Sequence, residues 1–127
     1  MLSRLLAHPQ PIDPFALRVT RLGGPENPRG EFVLYWAQAA RRLRANLGLE
    51  HAIARGTALG LPVVVYEALR PDYPYANDRI HSFLVEGVPQ NRRDAEARGL
   101  RYLFFLPRTR DEARGVVPAA RQLSSGD

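Results

Sequence analysis

The chain contains no cysteine, which excludes disulfides, thiol nucleophiles, cysteine-bound zinc and iron–sulfur clusters in any compartment. Lysine is equally absent, since all 18 basic residues are arginine. Schiff-base chemistry and a phosphate-loop lysine are thereby ruled out. No apolar run approaches the length of a membrane span. Residues 1–6 are too short and too poorly followed to act as a secretory signal, so a cytoplasmic location and no membrane partner are expected. Neither a Gly-x-Gly-x-x-Gly fingerprint after a strand nor a Gly-x-Ser-x-Gly elbow occurs. The three histidines, His8, His51 and His81, lack metal-ligand spacing. No catalytic constellation and no metal site emerge.

What is present suits a folded domain. A length of 127 residues allows one core and not two. Hydrophobic content of 45% with 24% charged residues is that of a globular chain. The formal net charge of +5 eases the approach of phosphate-bearing partners. The arginines are scattered and few aromatics lie among them, so the charge alone does not make a nucleic-acid surface.

Residues 32–37 (Phe-Val-Leu-Tyr-Trp-Ala) form an apolar run without alternation, which predicts a strand covered on both faces. It is expected to be the first and most central strand of a doubly wound, Rossmann-like α/β domain, a parallel sheet between helix layers. Residues 1–30 read as a lead-in broken by Pro9, Pro11 and Pro14, with 15–22 extended against the body and the first dozen mobile. A helix is expected over 39–59, or, because Asn46 and Gly48 interrupt it, an irregular stretch and then a regular helix from about Leu49. Gly60 should cap it in the left-handed conformation. The second strand is expected over 61–69, where three successive valines call for burial. A helix should start at Asn77 or Asp78 and bend or break at Pro89, because an interior proline costs about 3 kcal/mol. Gly99 closes it, a third strand covers 100–106, Thr109 caps a short helix, and another follows at 116–123, broken by Pro118. Strand and helix alternate as successive βαβ crossovers.

In such folds ligands sit beyond the carboxyl ends of the strands. Arg41, Arg42 and Asn46 fall there after the first strand, suited to an anion or the rim of a bound ring system; a solvated arginine-rich face is the competing reading. Glu67, Asp72 and Asp78 cluster near the end of the second strand. They either orient a ligand or, more simply, pair with Arg70 and Arg79.

The run Asn27-Pro28-Arg29-Gly30-Glu31-Phe32-Val33-Leu34-Tyr35-Trp36, with Gln38, Arg42, Asn46 and Leu49 after it, resembles the N-terminal signature of class II DNA photolyases. So do Pro62-Val63-Val64-Val65 with Glu67-Ala68-Leu69 and Tyr73, and Asp78-Arg79 leading into Phe83, Leu84 and Gly87. The resemblance runs from about Val19 to the end. It implies a light-driven, FAD-dependent lyase that repairs cyclobutane pyrimidine dimers in DNA. In that family an N-terminal α/β domain can hold an antenna pigment of deazaflavin or folate type, and a helical domain holds the FAD and the lesion. Gln38, Arg41, Arg42, Asn46, Glu67 and Arg79 are the candidate positions at the antenna edge. Ala39-Ala40 and Ala45 stand where the family carries an Arg-Asp pair and an Asp, which removes polar contacts at that edge.

The resemblance also makes the chain an incomplete piece: residues 31–127 as an antenna-type domain that ends before its fourth strand, without the helical FAD domain. On that reading it binds no FAD, is not catalytic alone, works with a complementary C-terminal domain, and self-associates through an open edge of its first strand. The alternative is a stand-alone nucleotide- or pigment-binding or interaction module on the same fold.

Overall fold

The computed structural model describes residues 15–114 apart from Glu26 and Pro28. Its elements run β1 (Val33–Ala37), α1 (Leu47–Leu59), β2 (Val63–Ala68), α2 (Asp78–Ala97), β3 (Arg101–Phe105) and α3 (Arg110–Arg114). The strands form one parallel sheet in the order β1-β2-β3, with Val33 opposite Val63 and Val65 opposite Tyr102. The expected α/β fold and the pairing of the first strand with the second are both present.

Among the described strands the middle place belongs to β2. All six of its residues are buried, whereas β1 is half-buried from Val33 to Trp36 and forms an edge. Central position follows from having neighbours on both sides, and the valines of β2 meet that demand better than the aromatics of β1. The two long helices lie on one face. Leu49, Ala52 and Ile53 of α1 and Ala95 of α2 pack with Val33, Tyr35, Ala37, Val63, Val65 and Tyr102. Two right-handed crossovers advancing in the same direction put both helices on the same side. The other face gathers Leu34, Trp36, Tyr66, Ala68 and Phe105, with the Trp36 and Tyr66 rings tilted at 6.3 Å. Leu43 and Leu49 are fully buried, each stabilising by about 1.5–3 kcal/mol.

Local signals explain the helix ends. Residues 38–46 are irregular, and α1 begins where Asn46 caps it by accepting from the Leu49 amide at 3.1 Å; the later start is the one adopted. Gly60, at φ 68°, ends α1 as expected. Gly56 lets α1 approach β2: a Cβ there would lie 2.8 Å from the Leu61 carbonyl oxygen and from the Val63 side chain. Asn77 caps α2 through the Ile80 amide, and Gly99, at φ 66°, follows its end. Thr109 accepts from the Glu112 amide at the start of α3.

Two expectations need correction. Of the bend or break expected at Pro89, the break does not occur, for α2 runs through it. The proline itself is exposed, and the buried Val88, Asp94 and Ala95 hold the helix on both sides of the lost hydrogen bond. Residues 15–18 are not extended but form a turn closed by Arg18 N–H to the Phe15 carbonyl. Leu17 and Leu22 are exposed, and the Phe15 ring lies against His51 at 5.3 Å. The helix expected at 116–123, His8 and the dozen N-terminal residues lie outside the described residues.

Candidate ligand site at the carboxyl edge of the sheet

The site grows from a carboxylate in the middle of the core. Glu67, next to last in β2, lies on the helix-bearing face and is 1% exposed. A buried carboxylate is tolerated only when its oxygens are fully bonded, and three side chains do this. Arg41 donates from Nη1 to Oε1 at 3.1 Å. Asn91 donates to Oε2 at 3.1 Å, and the Tyr102 hydroxyl donates to the same oxygen at 2.5 Å. Burial, and then this bond to Glu67, push the Tyr102 hydroxyl well above its ordinary range.

Glu67 in turn aims Arg41. The guanidinium also donates from Nε to the Gln38 carbonyl at 3.0 Å and from Nη2 to the Ala68 carbonyl at 3.2 Å. Asn91 donates to the Arg41 carbonyl at 3.0 Å, tying α2 to the loop after β1. Arginine carries five N–H donors, so two remain on a group that these bonds hold in one orientation.

Two clefts share this guanidinium. One, of about 370 Å³, lies between the loop and α2 and is lined by Arg41, Arg42, Glu67, Phe83, Leu84 and Asn91 among others. The second, of about 280 Å³, is lined by Trp36, Gln38, Arg41, Ala68, Arg70 and Tyr73. The Phe83 ring, 74% exposed, stands beside the first cleft as an apolar wall. Each cleft pairs the same fixed cation with its own apolar wall, Phe83 in the first and Trp36 with Tyr73 in the second.

Of the residues singled out from the sequence, Gln38, Arg41, Arg42 and Glu67 meet here. Asn46 is 4% exposed and bonds inside the fold. Its amide nitrogen donates to the Tyr35 hydroxyl and to the Ala40 and Arg42 carbonyls. Arg79 is exposed on the first turn of α2. The expected pairing of these carboxylates with Arg70 and Arg79 is met by Asp72, which pairs with Arg70, whereas Glu67 pairs with Arg41. That pair holds the Asp72 carboxyl below its usual range. Asn91 and Tyr102 were missed, although a carboxylate inside a valine strand already signals that partners must come from neighbouring elements. The described residues contain no cluster of three or more potential metal ligands, and no helix among them is long and apolar enough to cross a membrane.

No protein-family model matches the chain, and no solved structure does. Among curated proteins, a deoxyribodipyrimidine photo-lyase of Methanothermobacter thermautotrophicus is 40% identical over 86 residues, which is 67% of this chain. The chain spans 19% of that relative's length. An extended match at this identity is a relationship by descent, and the chain is photolyase-like.

Proposed function

We propose that the chain is the antenna-type α/β domain from the N-terminal part of a photolyase-like protein. The full reaction on this reading is light-driven repair of cyclobutane pyrimidine dimers in DNA by a bound FAD. The observation that carries it is the 40% identity to a deoxyribodipyrimidine photo-lyase over 86 residues. The α/β fold and the cleft at the carboxyl edge support it.

The loop after β1 offers no dinucleotide-type cradle for FAD. After β1 comes Gln38-Ala39-Ala40-Arg41, with no glycine turn to let backbone amides approach a pyrophosphate. The flavin chemistry and DNA recognition are therefore assigned to a complementary helical domain. A deazaflavin- or folate-type pigment fits better. In the cleft between the loop and α2, Arg41 and Arg42 supply cationic donors to its electron-rich edge, Phe83 supplies an apolar wall, and Glu67 keeps Arg41 oriented. Such a pigment contributes light absorption when bound.

The purified chain is expected to carry no flavin absorbance and to repair no dimer-containing DNA under near-ultraviolet or blue light. Stoichiometric flavin, or repair by the chain alone, would overturn this division of labour.

A further inference from the structure

The cleft between the loop after β1 and α2 holds more than a cation beside an apolar wall. Asn91 donates its amide nitrogen to Glu67 Oε2 at 3.1 Å and to the Arg41 carbonyl at 3.0 Å. Both partners are acceptors, so the carboxamide is locked: turned the other way, its oxygen would face two oxygens. The nitrogen is spent inside the fold. The carbonyl oxygen Oδ1 is left as an acceptor on a half-buried residue that lines the cleft. Glu67 holds Arg41 by its other oxygen, Oε1, at 3.1 Å. One buried carboxylate thus sets a guanidinium and a carboxamide side by side, the first offering N–H donors and the second a C=O acceptor.

Gly87 supplies a second feature. It lies in the interior of α2 and lines the same cleft. Glycine is a poor helix former, and neither of the usual reasons for one applies here. Its φ is not left-handed, unlike those of Gly60 and Gly99, and a Cβ built on it would meet nothing within 4 Å. What the missing side chain leaves is room in the cleft. Phe83, Gly87 and Asn91 recur at four-residue intervals along α2 and follow one another on one side of it. The helical rise puts the first and last about 12 Å apart, room for a flat system of two or three fused rings.

With this cleft taken as the pigment site, as proposed above, we infer that it selects a planar heteroaromatic ring bearing a lactam edge, an N–H next to a C=O. The ring lies flat over Gly87 with Phe83 at one end. Its N–H donates to Asn91 Oδ1, and its C=O accepts from an Arg41 N–H that the fold does not use. Asn91 and Gly87 are then the specificity-determining residues. Asn91 disfavours a ring whose edge cannot donate, because such a ring strips water from Oδ1 without replacing the bond. Gly87 excludes nothing flat, whereas any larger side chain there would occupy the ring's place.

Isocarbostyril, a fused bicyclic lactam that is not a pigment, is the probe, beside its N-methyl derivative, which keeps the C=O and lacks the N–H. Titration of the isotope-labelled full chain, followed by NMR, should shift the Gly87 amide and the Asn91 side-chain amide. The N-methyl compound should bind about tenfold more weakly, and Asn91→Ala should remove that preference. Gly87→Leu puts a helix former at an open position. It should abolish binding with the urea midpoint unchanged or raised, which tests the site even if Asn91→Ala does not fold. Equal affinity for the two compounds, binding that survives Gly87→Leu, or no binding of isocarbostyril would overturn the inference. A deazaflavin titrated in parallel keeps the two readings apart. Saturable deazaflavin binding beside a failed isocarbostyril result overturns the lactam site and leaves the pigment reading standing; the reverse result supports the lactam site and removes the pigment.

Discussion

Arg41 reaches Glu67 across the sheet edge, with Nη1 3.1 Å from Oε1, and the two residues come from the loop after β1 and the end of β2. The carboxylate is buried and the guanidinium is partly open, so one partner belongs to the core and the other to the cleft. Folding energy and ligand geometry therefore meet in a single ion pair.

Removing the carboxylate should show this first. Glu67→Ala leaves Arg41, Asn91 and Tyr102 without their acceptor and should destabilise by about 3 kcal/mol, read from urea unfolding. Glu67→Gln keeps an acceptor and should cost about 1–2 kcal/mol. Equal losses would mean that a neutral acceptor rescues nothing and that the site requires the charge itself.

The Tyr102 hydroxyl has a raised pKa, first through burial and then through Glu67. The unfolded chain releases this proton near the ordinary value of 10.0 while the folded chain retains it. The contribution to stability is complete below that pH and is lost as pH rises toward the folded value. Unfolding free energy should fall with rising pH in the alkaline range, and Tyr102→Phe should remove that part of the slope.

At the acid end the sign reverses. Arg44 donates to Asp94 at 2.7 Å, and this bond chiefly, with Gln90 helping, holds the Asp94 carboxyl below its usual value of 3.8. Its contribution is present above that pH and disappears as pH falls through the lowered value. Arg44→Ala should move the acid unfolding midpoint to higher pH. An unchanged midpoint would show that the pair does not persist in solution.

Backbone conformation gives a stabilising substitution. Ala45 sits at φ 47°, a left-handed conformation that costs a residue with a Cβ about 1–2 kcal/mol, least for Asn and Asp. Ala45→Asn should stabilise by about 1 kcal/mol, measured as a higher urea midpoint. Gly56→Ala should do the opposite, costing about 1–3 kcal/mol, because its Cβ would press on β2 at 2.8 Å.

The fold was legible where each signal acts locally. The apolar runs marked the strands, Asn77 and Gly60 marked helix ends, and the alternation of elements marked the parallel sheet. Pro89 does not break α2, because a propensity cost of about 3 kcal/mol can be offset by packing on either side of it. The site was legible in part. Arg41, Arg42 and Glu67 come together at one cleft, but Asn91 is 24 residues from Glu67 in sequence and Tyr102 is 35. Pairing over such distances is set by strand register and helix docking, which composition and periodicity do not encode. Asn46 misled in another way: the same position serves a ligand edge and a helix cap, and hydrogen-bond geometry decides between them.

On the proposed reading, a photolyase-type pigment binds at the carboxyl edge through Arg41 and Arg42. Fluorescence titration of the purified chain with a deazaflavin pigment tests it most directly, beside Arg42→Ala and the double variant Arg41→Ala with Arg42→Ala. The account predicts saturable binding that weakens about tenfold in Arg42→Ala and is lost in the double variant, with far-ultraviolet circular dichroism unchanged. Absence of saturable binding, or affinity indifferent to both substitutions, would contradict it.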